Sequence, residues 1–139
     1  MSALSELDYQ RLLQFRTGLR QFLHWSETQA HEIGLTTAQH QLLLAIRGHP
    51  GPQRPTIGDI AESLLLKHHS AVGLVDRAVA GGLVERRPDR DDQRVVRIHL
   101  TALGNRRLAQ LSELHLAELR RVAPRLQPLL RALDPAPAG

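Results

Sequence analysis

The chain has 139 residues, of which 42% are hydrophobic, and both values are typical of one globular domain with one core. The formal net charge is +4, and all but one of the 18 basic residues are arginine, the exception being Lys67. There is no cysteine, which excludes disulfides, thiolate metal sites and a thiol redox switch within the chain, and no apolar run is long enough to cross a membrane.

The basic groups favour a polyanionic partner. A guanidinium group can bind a phosphate through two hydrogen bonds and can also read the edge of a guanine base. The alternative is that the high arginine, alanine and proline content reflects a GC-rich coding sequence. The first residues lack a basic segment followed by an apolar one, so no secretion signal is expected, and we expect a cytoplasmic protein.

Three helices are predicted in the first half of the chain. Apolar residues recur at helical spacing from residue 4 to residue 31, which predicts a long first helix. Thr36 or Thr37 caps a second helix that reaches about Arg47, and a short third helix follows over residues 56–65.

A fourth helix and a β-hairpin follow. Residues 68–80 place small and branched apolar side chains at i, i+3, i+4 and i+7, which predicts a helix with one inward face. The period then changes to two in residues 83–87 and 95–100, and the polar segment 88–93 between them predicts a hairpin with a charged tip.

The last predicted helix is capped by Thr101 and is rich in leucine. It is expected to bend near Pro124, because proline lacks the N–H that the helical turn requires, and the tail from Pro135 to Gly139 is expected to fray. The order of the elements predicts a mainly α fold with a small β-hairpin, which is a winged helix-turn-helix.

Three segments of the central region closely resemble the MarR family of bacterial regulators. They are Leu74–Arg77, Gly82–Pro88 and Asp92–Thr101, and Gly104 comes shortly afterwards. The third segment has the family's Asp-x-Arg wing pattern, which ends in Leu-Thr. The resemblance implies a homodimeric transcription regulator, a repressor or less often an activator, that binds a palindromic operator in double-stranded DNA. It also implies that a small-molecule effector modulates the affinity for DNA.

The resemblance also implies a division of the single domain, residues 1–139. Residues 36–101 would form the winged helix-turn-helix, and residues 4–33 and 102–133 would form dimerisation helices. The apolar stripes of both terminal helices agree with this division, because a helix with this much apolar surface needs more than one partner. The alternative is a purely intramolecular helix bundle.

By the same resemblance, the helix at residues 68–80 enters the major groove and the hairpin tip reaches the minor groove. The residues expected at the DNA are Lys67, His68, His69, Ser70, Val72, Gly73, Arg77, Arg86, Arg87, Arg90, Asp92 and Arg94. Gly73 is unusual, because family members often carry a larger polar residue at this position. Its missing side chain shifts the expected base and phosphate contacts to its neighbours and to the wing.

Acidic and basic residues alternate along the hairpin, so it is not a simple basic patch. The interleaving suggests that the acids position particular arginines. The resemblance implies that Asp92 shapes the wing and that Arg90 or Arg94 enters the minor groove, where a narrow A·T-rich groove attracts arginine. The alternative is a solvated hairpin held by weak surface ion pairs.

Two ligand sites are considered outside the winged helix-turn-helix region at residues 36–101, which is called the reading head below. By the resemblance, a small aromatic or phenolic effector would bind between the dimerisation helices and the reading head, and Trp25, His40, Leu44 and His115 are the candidates to line that site. His24, Glu27 and His31 lie on one side of the first helix at i, i+3 and i+7, which keeps a metal-sensing variant open as an alternative.

No catalytic motif is present in the sequence, and neither an enzyme nor a resident cofactor is expected. The main alternative function is a winged helix that makes only protein contacts, which the near-neutral wing and Gly73 keep open.

Overall fold

The computed structural model describes residues 3–132. Within these residues the elements are α1 (Glu6–Glu32), α2 (Thr37–Arg47), α3 (Ile57–Leu64), α4 (His68–Ala80), β1 (Val84–Pro88), β2 (Val96–Leu100) and α5 (Ala102–Arg131). The fold is therefore mainly α with one antiparallel hairpin, which confirms the predicted class. The expected fraying of residues 135–139 lies outside the described residues.

Three of the helices begin with a reciprocal capping box, in which the cap side chain and the residue three positions later satisfy each other's backbone N–H. The pairs are Ser5 with Asp8, Thr36 with Gln39, and Thr56 with Asp59. Of the two caps that the sequence allowed for α2, the structure uses Thr36. The starts of these helices can be predicted from the sequence because each capping box involves residues only three positions apart.

The turn between α3 and α4 contains an unusual backbone conformation. Leu65 has a φ of +56°, in the left-handed region that favours glycine, and its side chain is almost fully exposed. Two backbone hydrogen bonds hold this turn, from the Leu65 N–H to the Glu62 carbonyl and from the Leu66 N–H to the Ala61 carbonyl. The turn sets the direction in which α4 leaves α3.

The hairpin pairs Val84 with Leu100 at its base and Pro88 with Val96 near its tip. Each strand begins one residue later than the sequence predicts. A third segment contacts the outer edge of β2, where the Ile98 N–H donates to the Pro55 carbonyl at 2.8 Å. The loop before α3 therefore supports the hairpin along β2.

Helix α5 begins where the sequence predicts. The Thr101 hydroxyl accepts from the Gly104 N–H and donates to the Gly82 carbonyl at 2.6 Å, which joins the helix start to the hairpin base. Gly104 packs so closely against the backbone of Leu83 that a Cβ there would overlap the Leu83 carbonyl oxygen. The helix then continues through Pro124 and Pro128 to Arg131.

The hydrophobic core lies between α2, α3, α4, the hairpin and the adjoining ends of α1 and α5. Its fully buried large side chains are those of Leu42, Leu43, Ile46, Ile60, Val75, Val84, Ile98 and Leu111. In α1 only Ala30 is buried, and in α5 burial ends at Leu111. The core therefore belongs to the winged helix-turn-helix.

The outer parts of the two terminal helices expose large apolar side chains. They are Leu7, Tyr9, Leu12, Leu13, Leu19 and Leu23 on α1, and Leu114, Leu116, Leu119 and Leu130 on α5. A groove of about 770 Å³ runs between these two helices. None of the helices in residues 3–132 has the length and apolarity required to cross a lipid bilayer.

Candidate nucleic-acid interface

Helix α4 presents one buried and one exposed face. Its inward residues are Ala71, Leu74, Val75 and Ala78, all buried. The opposite side and the helix start carry the exposed side chains of Lys67, His68, His69, Ser70 and Arg77, whereas Val72 and Gly73 are half-buried. No side chain caps the start of the helix at Lys67, so its first N–H groups face outward without a side-chain acceptor. The sequence prediction assigned these two faces correctly.

The space beside Gly73 is occupied by an arginine. A Cβ added at residue 73 would meet the Nη1 atom of Arg77 at 3.3 Å, and outside the flanking residues and the α4 backbone no other atom lies within 4 Å. The Arg77 guanidinium therefore lies over the position where a side chain at residue 73 would project. Packing does not require glycine here, and the cation that α4 presents at this point comes from the following turn.

At the wing tip, Asp92 holds Arg94 through two side-chain hydrogen bonds. The Nε and Nη2 groups of Arg94 donate to the two carboxylate oxygens of Asp92 at 3.0 and 3.1 Å, and the Arg94 N–H also donates to Asp92 at 3.1 Å. These hydrogen bonds keep the pKa of Asp92 below its ordinary value. The Arg94 side chain is 90% exposed, so the pair orients a cation that projects into solvent.

The other exposed wing arginines differ in how they are held. Arg86 forms an ion pair with Asp76 of α4, which connects the hairpin to that helix, and Arg87 forms one with Glu85. Arg90 is exposed and forms no ion pair with any residue in the described part of the chain. Acidic residues therefore pair with Arg86, Arg87 and Arg94 at the surface of the hairpin.

Sequence reasoning assigned the shaping of the wing to Asp92 and missed Asp89. The Asp89 carboxylate is buried and accepts hydrogen bonds from the N–H groups of Asp91 and Asp92, both at 3.1 Å. Its other oxygen accepts from the Nε group of Arg97 at 2.5 Å, and these bonds hold the pKa of Asp89 low. An aspartate directly after Pro88, where a turn starts, was the signal that could have identified it.

A cluster of four rings lies where α1, α2 and α5 meet. The His115 ring lies between its neighbours, with centroid distances of 5.8 Å to Phe22, 5.0 Å to Trp25 and 4.8 Å to His40. The structure therefore brings together three of the four candidates for the effector site, and adds Phe22, which sequence reasoning did not include.

Hydrogen bonds orient the His115 ring. Its Nδ1 atom lies 2.7 Å from the Leu111 carbonyl oxygen, which can only accept, so Nδ1 carries the proton and donates. In the neutral ring Nε2 then accepts from the Ser26 hydroxyl at 2.6 Å. The neighbouring His40 is buried, and its pKa is lowered first by that burial and then by repulsion from the protonated form of His115.

Leu44, the fourth effector candidate, lies elsewhere. It is 53% exposed and lines a separate groove with Gln41, Ala45, His49 and Asp59, between α2 and α3. The structure therefore does not bring Leu44 together with the other three candidates, because three consecutive leucines on a helix cannot all face the same side.

The three residues considered for metal binding line a shallow surface groove on α1. Across residues 3–132 no set of three or more histidine and carboxylate side chains is arranged to hold a metal ion. Glu27 instead accepts a hydrogen bond from the Thr37 hydroxyl at 3.3 Å, which links α1 to α2.

Comparison with known sequences finds a similarity in the central region. A model of the MarR family matches residues 33–95, which contain α2, α3, α4 and most of the hairpin. No curated protein matched the chain.

Solved structures with the same fold cover nearly all of the chain. AbsC, a MarR family transcriptional regulator from Streptomyces coelicolor, is 20% identical with a TM-score of 0.72, over 97% of this chain and 95% of AbsC. MepR, a transcription regulator of the Staphylococcus aureus multidrug efflux pump MepA, is 19% identical with a TM-score of 0.71, over 86% and 96% of the two chains. A mutant MarR from E. coli complexed with operator DNA is 23% identical with a TM-score of 0.64, over 86% and 90%.

Proposed function

We propose that the chain is a MarR family transcription regulator that binds double-stranded DNA as a homodimer, because a MarR family model matches its central region and AbsC has the same fold. It acts as a repressor at an inverted-repeat operator, and a small aromatic or phenolic effector modulates its affinity. The observation that carries the proposal is the wing tip, where Asp92 orients the exposed guanidinium of Arg94. An oriented, exposed arginine on a hairpin suits the negative potential of a narrow minor groove.

Helix α4 supplies the second half of the proposed DNA surface. Its first turn exposes Lys67, His68 and Ser70 beside helical N–H groups, an arrangement that favours phosphate. Arg86 connects the hairpin to α4 through Asp76, so the wing and the helix can act as one unit. Arg77, which lies over Gly73, takes the position of the missing base-reading side chain.

A second copy of the chain is the proposed cover for the exposed apolar residues of α1 and α5. They form two long apolar surfaces beside one groove, and a chain this small cannot bury both against its own core. Pairing through these helices would place two copies of α4 on the two half-sites of an inverted repeat.

The DNA proposal is tested by selecting duplexes from a random pool with the wild-type protein and measuring affinity against salt concentration. We expect selective, salt-sensitive binding. Arg94→Ala should weaken binding to a selected duplex by about 10- to 100-fold, the value of one specific arginine contact. Arg47→Met is the matched control, since Arg47 donates to Asn105 outside the proposed surface.

Absence of any selective, salt-sensitive complex would sink the DNA proposal and favour a winged helix that makes only protein contacts. Unchanged affinity in Arg94→Ala, with selective binding by the wild type, would show that the wing is not used in this way.

The dimer proposal is tested by light scattering after size exclusion. Leu12→Lys on α1 and Leu119→Lys on α5 should each shift the protein towards the monomer, because a buried unpaired charge opposes association. Leu44→Lys is the control, since Leu44 is similarly exposed but lies on α2. A wild-type monomer, or equal effects of all three substitutions, would contradict the proposed interface.

The effector proposal uses the one tryptophan of the chain, Trp25, as its probe. Titration with substituted phenols and benzoates should change Trp25 fluorescence and the affinity for a selected duplex at the same concentrations. His115→Gln should shift both curves, because His115 contacts the Trp25 ring. Fluorescence changes without a change in DNA affinity would argue against an effector role.

A further inference from the structure

One ion pair of the hairpin differs from the others in its burial. Arg97 and Asp89 have side chains that are 21% and 8% exposed, whereas the pairs of Arg86, Arg87 and Arg94 lie at the surface. A surface ion pair contributes little to stability, but a buried one requires good geometry, because both charges lose water.

The Arg97–Asp89 pair connects three parts of the reading head. Arg97 donates from Nη1 to the Arg54 carbonyl at 3.0 Å, in the loop before α3, and from Nε to Asp89. Asp89 in turn accepts from the N–H groups of Asp91 and Asp92 at the wing tip. The connected groups therefore run from the body of the protein to the residue that orients Arg94.

A single guanidinium makes this connection possible. Its Nε and Nη1 groups point in different directions in one plane, so Arg97 can donate to a carboxylate and to a carbonyl at the same time. The ammonium group of a lysine lacks this planar arrangement of donors. The backbone supports the same geometry, since the Ile98 N–H donates to the Pro55 carbonyl.

We propose that Arg97 and Asp89 are positioning residues that fix the wing tip against the loop at residues 52–55, so that Arg94 meets DNA at a set distance from α4. This inference rests on the proposed DNA-binding function. Arg97 itself is not a proposed DNA contact, because its Nε and Nη1 groups donate to Asp89 and to the Arg54 carbonyl. The role of the pair is to reduce the freedom that the wing would otherwise lose on binding.

The test is a double-mutant cycle on a duplex selected by the wild-type protein, with Arg97→Met, Arg94→Ala and both together. Arg97→Met should weaken binding by about three- to tenfold, less than Arg94→Ala. Because Arg97 acts through Arg94, the double variant should bind like Arg94→Ala alone. The salt dependence of Arg97→Met should equal that of the wild type, since no phosphate contact is removed. Arg97→Lys keeps the positive charge but not the planar guanidinium, so it should restore little of the affinity that Arg97→Met loses.

Three results would each overturn the inference and make Arg97 an ordinary DNA contact. They are additive losses of affinity in the double variant, a weaker salt dependence of binding in Arg97→Met, and wild-type affinity in Arg97→Lys. If Arg97→Met fails to fold, Asp89→Asn enters the same cycle with the same expectations. Loss of folding in both would assign the pair to stability alone and also overturn it.

The two proposals can fail separately. If Arg94→Ala weakens binding as expected and Arg97→Met binds like the wild type, only the positioning role is wrong. If the wild type selects no duplex, the proposed function fails, and the positioning role fails with it.

Discussion

The reading head and the outer parts of the terminal helices use the same aliphatic residues in opposite ways. In the reading head, Leu42, Leu43 and Ile46 are completely buried within one chain. In α1 the leucines that precede Ala30 remain exposed at helical spacing, and in α5 several of those that follow Leu111 do so as well. The difference shows that amphipathic spacing predicts a face that will be covered, but not whether the same chain covers it.

Truncating one leucine in each region gives the largest expected contrast. Leu43→Ala should lower the free energy of unfolding by about 2–5 kcal/mol at any protein concentration, because it opens a cavity in the core. Leu13→Ala removes a side chain that is 66% exposed and should cost less than about 0.5 kcal/mol in the dissociated chain. Urea unfolding over a series of protein concentrations measures both.

If a second copy covers α1, the effect of Leu13→Ala should grow as the protein concentration rises. An effect of Leu13→Ala as large as that of Leu43→Ala, and independent of concentration, would remove the distinction between the two regions.

Substitutions at two glycines compare the same two regions through smaller changes in stability. Gly104→Ala should destabilise the protein by about 1–3 kcal/mol, since the new Cβ would overlap the rigid backbone of Leu83. Gly18→Ala in α1 would meet only the Cδ2 atom of Leu126 at 2.9 Å, the end of a flexible side chain. The gain in helix propensity, up to about 1 kcal/mol, should offset that contact.

Thermal unfolding of the two glycine variants side by side measures this difference. A Gly104→Ala protein as stable as the wild type would mean that α5 and the hairpin base can separate, and that the reading head is less closely packed than the structure shows.

The boundary between the regions should respond to pH through His40. Its pKa lies below the ordinary 6.5, first because it is buried and then because of His115. Above the unfolded-state pKa neither state is charged, so stability is unaffected. As the pH falls below about 6.5 the unfolded chain binds the proton first, and stability is lost until the pH reaches the lowered pKa of the folded state.

Urea unfolding between pH 7.5 and 5 should therefore show a smaller loss of stability in His40→Gln than in the wild type, in the range where His40 changes charge. Equal pH dependence of the two proteins would show that burial does not lower the pKa of His40.

Local sequence signals predicted the elements of the reading head closely. The bounds of α4 and the Thr101 cap agree with the structure, and each hairpin strand begins within one residue of its prediction. The separation of Leu44 from the other effector candidates was not foreseen, because periodicity alone cannot decide which way each of three adjacent leucines faces. Asp89 and Arg97 were missed, because the significance of each depends on a partner that lies in a different turn or loop.

The sequence by itself determined where helices start, where the period changes to that of strands and which family the central motifs resemble, since all of these depend on neighbours within a few residues. The tertiary structure decided which carboxylate is buried, which arginine is left to project, and that Trp25, His40 and His115 meet while Leu44 does not. These outcomes depend on how separate elements pack against one another, and a pattern along a single helix or strand does not contain that information.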